Sequence, residues 1–329
     1  MGPTPESPPP PPLRTRVSEM LGVDYPIVQA PMGFIARAQL ASAVSNAGGL
    51  GIVETSSGRL DEVREEMAVM HDLTDKPWGV NIAQMMVADP DIVGFVAHQG
   101  VKLVTTSAGD PTRYTQQLHD AGITVFHVVP SLRAAQKAVD AGVDGLVVEG
   151  GEGGGFKSTR PVATIVLLPQ VCAEFDLPVI AAGGMVDGVS MAAAFALGAE
   201  GVQMGTRMVS ATESPVHDNY KRLVADADAT DTVVLSAHSS PAYRVMRTPF
   251  SESLEKEASV VMGRTVGIDG VLKLYFEGDL DAGFAFGGQV AGRVRDVLPV
   301  RQIIRETVSE FYEAVSGLGR FLPDTAGAP

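Results

Sequence analysis

Two glycine-bearing stretches, Ala181-Ala182-Gly183-Gly184-Met185 and Gln203-Met204-Gly205-Thr206-Arg207, each close a short apolar run. Glycine at such a point lets backbone N–H groups come close to an anion, so Gly183, Gly184, Gly205 and Thr206 read as a phosphate cradle. A third stretch, residues 147–158, carries Gly150, Gly151, Gly153, Gly154 and Gly155. That density has no use inside a helix or strand, where each glycine forfeits backbone entropy and packing, and it reads as a loop shaped around a ligand. Glu149 and Glu152 flank this loop: one bonds backbone and the other faces a pocket, and the sequence does not choose. Groups able to move a proton are few. His127 is the one histidine on an expected strand, as a substitute base or as a hydrogen-bonded structural residue. His71, His98 and His119 fall on expected helices, and His217 and His238 fall further along the chain. The single cysteine, Cys172, excludes an internal disulfide and reads as a small apolar residue on a helix. No paired Cys-x-x-Cys, His-Glu-x-x-His or clustered His and carboxylate spacing points to a metal.

The elements that must hold these residues repeat. Eight short apolar runs, at 26–32, 49–54, 77–83, 103–109, 123–129, 145–150, 178–184 and 201–206, alternate with segments of helical pattern. Each run is too short for a helix and suits a strand buried on both faces. Eight strands joined by helical crossovers predict an α/β fold, a (β/α)8 TIM barrel, with its chemistry at the C-terminal ends of the strands. The phosphate cradle closes the seventh and eighth runs, where barrels commonly place one. Helix punctuation agrees: Asp89-Pro90 and Asp110-Pro111 pair an N-cap with proline, Ser131 and Asp187 are further N-caps, and Gly48, Gly122, Gly142 and Gly198 stand where helices should stop.

The remaining sequence brackets the barrel. Residues 1–13 are a proline-rich tail expected to be extended and disordered; 14–209 are the barrel, 210–286 an added region, 287–320 a return ending in an amphipathic helix, and 321–329 a tail. A formal charge of −14 argues against nucleic acid and anionic membranes as partners, but leaves room for a phosphate held by backbone amides. Signal-peptide features and membrane-spanning apolar runs are missing, and with one cysteine this gives a cytoplasmic expectation.

At this point the sequence resembles the nitronate monooxygenase family, formerly called 2-nitropropane dioxygenases, which also includes flavin-dependent enoyl-acyl carrier protein reductases. The matching pieces are residues 26–32, 45–51, 79–81, 149–156, 178–184, 201–206 and 287–292, in family order and each at a strand end or loop. The resemblance implies FMN across the C-terminal face of the barrel. Ala30, Pro31 and Met32 would pass beside the isoalloxazine ring, Asn81 would bond the flavin and Gln203 would lie near it. Gly183, Gly184, Gly205 and Thr206 would take the phosphate. Glu149, Gly154 and Gly155 from the glycine-rich loop, with Gly288 and Gln289 from the late segment, would complete the set. The added region would be mainly helical and cover the mouth, offering Tyr243, Arg244 and Arg247 to an anionic substrate or partner.

One position departs from the family. Members usually carry His directly after the glycine-rich loop, and here Phe156 stands there. Phenylalanine cannot accept a proton, so three readings compete: a substrate already anionic, another His as the base, or a pocket reshaped for a more apolar substrate. Lys157 beside it is either a contact for a phosphate or acyl-carrier tail, or a solvated loop residue. The resemblance implies first an enzyme, an FMN-dependent oxidoreductase that oxidises alkyl nitronates with molecular oxygen. A flavin reductase or dehydrogenase using NAD(P)H and an unsaturated acyl thioester is the alternative, and a non-catalytic flavin-binding barrel the third. Small-molecule partners follow; substrate, electron donor and oligomeric state stay open.

Overall fold

The computed structural model describes residues 8–87, 89, 91–257 and 267–322. Residues 1–7 and 323–329 of the two tails, Pro90 of the Asp89-Pro90 cap and residues 258–266 of the added region lie outside the described residues. All eight apolar runs form strands: β1 Ile27–Gln29, β2 Gly51–Val53, β3 Trp78–Ala83, β4 Leu103–Ser107, β5 Thr124–Val129, β6 Gly145–Glu149, β8 Val179–Ala182 and β9 Gly201–Met204, with β7 Gly155–Lys157 interposed outside the barrel. The barrel strands pair in parallel in the order β1-β9-β8-β6-β5-β4-β3-β2. A bridge between Val28 and Leu50 closes the ring, with Gln29 N–H donating to the Leu50 carbonyl at 3.0 Å.

Strand alternation sorts the side chains into two layers. Val28, Ile52, Leu103, Phe126, Val147 and Ile180 pack together inside the barrel. Their strand neighbours Ile27, Val53, Val104, Val125, Leu146 and Val179 belong to the larger core shared with the helices. Small residues make room for large ones, since a Cβ on Gly145 would lie 2.3 Å from the Phe126 ring.

The helices are α1 Arg16–Leu21, α2 Ala38–Asn46, α3 Leu60–Leu73, α4 Ile92–Ala97, α5 Thr115–Asp120, α6 Leu132–Asp140, α7 Thr164–Glu174, α8 Gly188–Ala196, α9 Thr206–Val209, α10 Asp218–Ala225, α11 Pro249–Leu254, α12 Ile268–Leu272 and α13 Val300–Leu318. Three expected caps are in place: Ser131 accepts from Ala134 N–H at 3.2 Å, Asp187 from Ser190 N–H at 2.8 Å, and Asp110 from Thr112 N–H at 3.0 Å; Asp89 is not the N-cap of α4, which follows Asp91. Gly48, Gly122, Gly142 and Gly198 take the left-handed conformation, which other L residues rarely adopt.

Two features differ from expectation. The added region is not helical throughout: it contributes β10 Thr232–Leu235 and β11 Ala242–Met246, and β11 pairs antiparallel with β7. The end of the glycine-rich stretch is therefore strand, because main-chain partners far along the chain satisfy it. The proline-rich tail, expected to lie free, is tied down from Pro10: Tyr25 Oη donates to the Pro10 carbonyl at 2.6 Å and Leu13 N–H to the Asp24 carbonyl at 2.9 Å. No helix among the described residues is long and apolar enough to cross a membrane.

The amphipathic helix α13 closes the outer layer by crossing α8 at Gly188, where a Cβ would lie 2.2 Å from the Phe311 nitrogen and 2.3 Å from the Thr307 carbonyl oxygen. Phe195 and Phe311 stack edge-on beside the crossing, ring centres 4.9 Å apart. Gly188→Ala should therefore force the helices apart and lower stability by about 1–3 kcal/mol, read as a drop in denaturant midpoint at unchanged slope.

Candidate active site

Three chain segments meet over the ends of β6, β8 and β9 through backbone. Gly183 and Gly184 have φ of 79° and 82°. A Cβ on Gly183 would lie 2.9 Å from the Gly150 carbonyl oxygen and 3.2 Å from the Gly153 nitrogen, whereas one on Gly184 would meet nothing within 4 Å. Gly183 thus packs under the glycine-rich loop, and Gly184 faces open space. The late segment lies on the same loop: Gln289 N–H donates to the Glu152 carbonyl at 2.9 Å, and a Cβ on Gly154 would lie 2.8 Å from the Gly287 carbonyl carbon. Gly288 N–H donates to Thr206 Oγ1 at 2.9 Å, which fixes the start of α9 to that segment. Gly155, at φ 82°, leads out of the loop into β7. Beside Gly205 stand Ala30 and Met32: a Cβ at Gly205 would lie 3.4 Å from Ala30 Cβ and 3.9 Å from Met32 Sδ. The Ala30-Pro31-Met32 turn is held by Ala30 N–H donating to the Met204 carbonyl and by the Met32 carbonyl accepting from Ile35 and Ala36. Arg207, which directly follows the cradle, turns away from it to Asp296 at 2.9 Å.

Inside the mouth, alternation turns Gln203 and Asn81 toward the barrel axis. Gln203 Oε1 is buried with no hydrogen-bond partner, which is costly unless a ligand donates to it. Asn81 is only 1 % exposed and spends its amide on β4, donating to the Thr105 carbonyl at 3.1 Å, to Thr105 Oγ1 at 2.9 Å and to Ser107 Oγ at 3.3 Å. The sequence reading missed Glu54 at the end of β2. Its fully buried carboxylate accepts from Phe34 N–H at 3.1 Å and Ser57 N–H at 2.7 Å and pairs with Arg37 at 3.0 Å. It therefore braces the loops after β1 and β2, and a carboxylate closing a barrel strand was the available signal.

The structure also chooses between the two loop carboxylates. Glu152 caps α7, accepting from Thr164 N–H at 2.9 Å and Thr164 Oγ1 at 3.0 Å. Glu149, two residues beyond the inward-facing Val147, remains at the mouth and pairs with Lys157. Lys157 is 9 % exposed, so it is neither a solvated loop residue nor free for an acyl-carrier tail. Phe156, on the opposite face of β7, is 40 % exposed and joins an aromatic wall, 5.4 Å from Tyr243 and 6.4 Å from Phe286 between ring centres. Tyr243 belongs to that wall; Arg244 donates to the Gly151 carbonyl at 3.0 Å, and Arg247 pairs with Glu255 at 2.8 Å on the surface.

His127 is a correction. It lies between Phe126 and Val128 on β5 but on the other face, in register with Leu146 of the outer core, so it points to the helix layer and away from the mouth. Thr106 Oγ1 lies 2.7 Å from its Nδ1, and burial pushes its pKa down to about 4. A ring turned away from the mouth cannot serve as the substitute base there. The other histidines are occupied or exposed: His71 packs edge-on against Trp78, His98 meets the Gly94 carbonyl on the surface, His119 meets Asp144 at 2.9 Å, His217 caps α10 and His238 is exposed. Burial pushes the Cys172 thiol up to about 11, which makes it inert as expected.

The sequence matches the nitronate monooxygenase family over residues 14–92 and 83–310. This chain belongs to the nitronate monooxygenase family. A (3aS,4S,5R,7aS)-5-hydroxy-7a-methyl-1-oxo-octahydro-1H-indene-4-carboxyl-CoA dehydrogenase of Mycobacterium tuberculosis is 40 % identical over 74 % of this chain and 69 % of its own. The nitronate monooxygenase of Paraburkholderia phytofirmans is 28 % identical over 92 % of this chain and 96 % of its own. Among solved structures, FabK from Thermotoga maritima superposes with a TM-score of 0.86 at 39 % identity, covering 94 % of this chain and all of that one. The chain is thus an oxidoreductase of this family with its TIM barrel.

The position of His127 has a measurable consequence. In the folded chain the ring stays neutral down to about pH 4, while the unfolded chain protonates it from about 6.5, so stability is lost as pH falls through that window. His127→Gln should remove that contribution, about 3 kcal/mol at most, flattening the unfolding midpoint between pH 6.5 and 4 while leaving turnover in place.

Proposed function

We propose that this chain is an FMN-dependent oxidoreductase acting on an acyl thioester, moving hydrogen across the bond between the α and β carbons. What carries this reading is the aromatic wall at Phe156: where a base for small nitroalkanes is expected, the chain offers apolar surface continuous with Tyr243 and Phe286. The 40 % identical relative named as a carboxyl-CoA dehydrogenase supports the same substrate class. The residues fit the cofactor. Gly184 leaves backbone open to a phosphate, Gly205 lies against Ala30 and Met32 without a clash, Thr206 orders the α9 start, Ala30 to Met32 supply a backbone edge, and the unpartnered Gln203 Oε1 awaits an N–H donor. Bound flavin would supply hydride acceptance or donation; the chain supplies placement and exclusion of water.

Oxidation of alkyl nitronates, the first expectation from the sequence, remains the second reading, favoured by relatives named nitronate monooxygenases at 28–29 % identity. Anaerobic flavin reduction by saturated coenzyme A esters, NADH, NADPH and alkyl nitronates, followed by reoxidation with unsaturated coenzyme A esters, separates the two. Coenzyme A esters should exchange electrons with the flavin at least tenfold faster than nitronates, and neutral nitroalkanes should be nearly untouched. Phe156→His should add nitroalkane activity and weaken thioester turnover. Rapid nitronate oxidation with inert thioesters would establish the second reading instead.

A further inference from the structure

A mouth without the family histidine still needs a group to take a proton from carbon, and two charged residues, Glu149 at the end of β6 and Lys157 on β7, are otherwise unexplained. Glu149 stands at the C-terminal end of that strand, in step with the inward-facing Val147. Lys157 reaches it from β7, whose alternation sends Phe156 outward to the aromatic wall and Lys157 to the barrel side. Both side chains lie under the glycine-rich loop: a Cβ on Gly153 would be 2.6 Å from Glu149 Oε1 and 3.1 Å from Lys157 Nζ. Gly153 is the residue whose nitrogen packs over Gly183, so the pair adjoins the proposed cofactor cradle. The Lys157 side chain is 5 % exposed and engages Oε1, while the Glu149 side chain is 28 % exposed. One carboxylate oxygen is therefore anchored, and the carboxylate keeps access to the mouth. Burying the Lys157 charge is a poor source of stability compared with apolar packing, so this pair at a strand end of the barrel mouth calls for a use.

We infer that Glu149 is the proton acceptor of this enzyme, with Lys157 as the residue that positions it. The inference rests on the acyl-thioester reading above. In the step it performs, the C–H bond at the carbon α to the thioester carbonyl breaks and an O–H bond forms on Glu149. The electron pair stays with the substrate as the enolate, and bound flavin would supply the acceptor for the hydride of the β carbon. In the reverse direction the same carboxyl returns the proton. This puts the base on β6 itself, one short strand away from the Phe156 position, and leaves Phe156 to the substrate's apolar part.

The test is wash-in of deuterium at the α carbon of a saturated coenzyme A ester in D2O, using holoenzyme whose flavin has been reduced so that no net oxidation occurs. The parent should exchange the α proton. Glu149→Gln should lower exchange at least about 100-fold while binding the ester within about twofold of the parent. Lys157→Met should lower exchange with little change in ester affinity, and Lys157→Arg should restore most of it, a rescue that a purely structural role would not require. Because either single change leaves a charge unpaired, and Glu149→Gln leaves the buried Lys157, the double variant Glu149→Gln, Lys157→Met checks folding and should melt close to the parent while remaining inactive in exchange. If the parent exchanges the proton and Glu149→Gln does so at the parent's rate, the inference is overturned and the thioester reading survives. If the parent neither binds nor exchanges any coenzyme A ester, the thioester reading itself fails and takes the inference with it.

Discussion

The site depends on backbones lying closer together than side chains permit. Gly183 after β8, Gly150, Gly153 and Gly154 after β6, and Gly287 and Gly288 from the late segment share a space in which a Cβ at Gly183, Gly154 or Gly288 would come within 2.9 Å of another main chain. Only glycine allows that approach, and the approach turns main-chain donors and carbonyls toward one surface. The hydrogen bonds of Gly288 to Thr206 and of Gln289 to Glu152 lock the third segment to the first two. Removing one of these glycines would displace a neighbouring segment, so the stretches carry a shared requirement although they lie far apart in the chain.

The barrel supports this convergence by separating its two faces. Inward positions fill the axis with Val28, Phe126, Val147 and Ile180 and leave polar groups near the strand ends, Asn81, Glu149 and Gln203. Outward positions bind the helices, and there His127 finds Thr106 and stays neutral. A shift of one residue along β5 exchanges these surroundings, which is why its place in the sequence near a strand end was misleading.

Most of the barrel was legible because each strand and helix carries local signals. All eight apolar runs became strands, and Ser131, Asp110 and Asp187 cap as their types demand. What was not legible depends on partners distant in the chain. Nothing near Gly155 announces pairing with Arg244, so β7 and the two strands of the added region were missed. For the same reason Lys157 stayed open between a ligand contact and a solvated loop residue, and the choice between Glu149 and Glu152 waited on Thr164, which claims only the latter. The late segment was recognised by its resemblance to a family, whereas its contact with Thr206 is visible only in three dimensions.

On the function proposed above, the glycines at the ends of β8 and β9 cradle the one terminal phosphate of a flavin. This is tested most directly by identifying and counting the flavin released on denaturation, from the parent and from Gly205→Val. Gly205 has φ of −103°, and its Cβ would make only ordinary contact, 3.4 Å from Ala30 Cβ, so the larger side chain should spare the fold and obstruct the ligand. The parent should release about one FMN per chain and the folded variant almost none. Release of FAD from the parent, or an undiminished FMN content in Gly205→Val, would contradict the cradle.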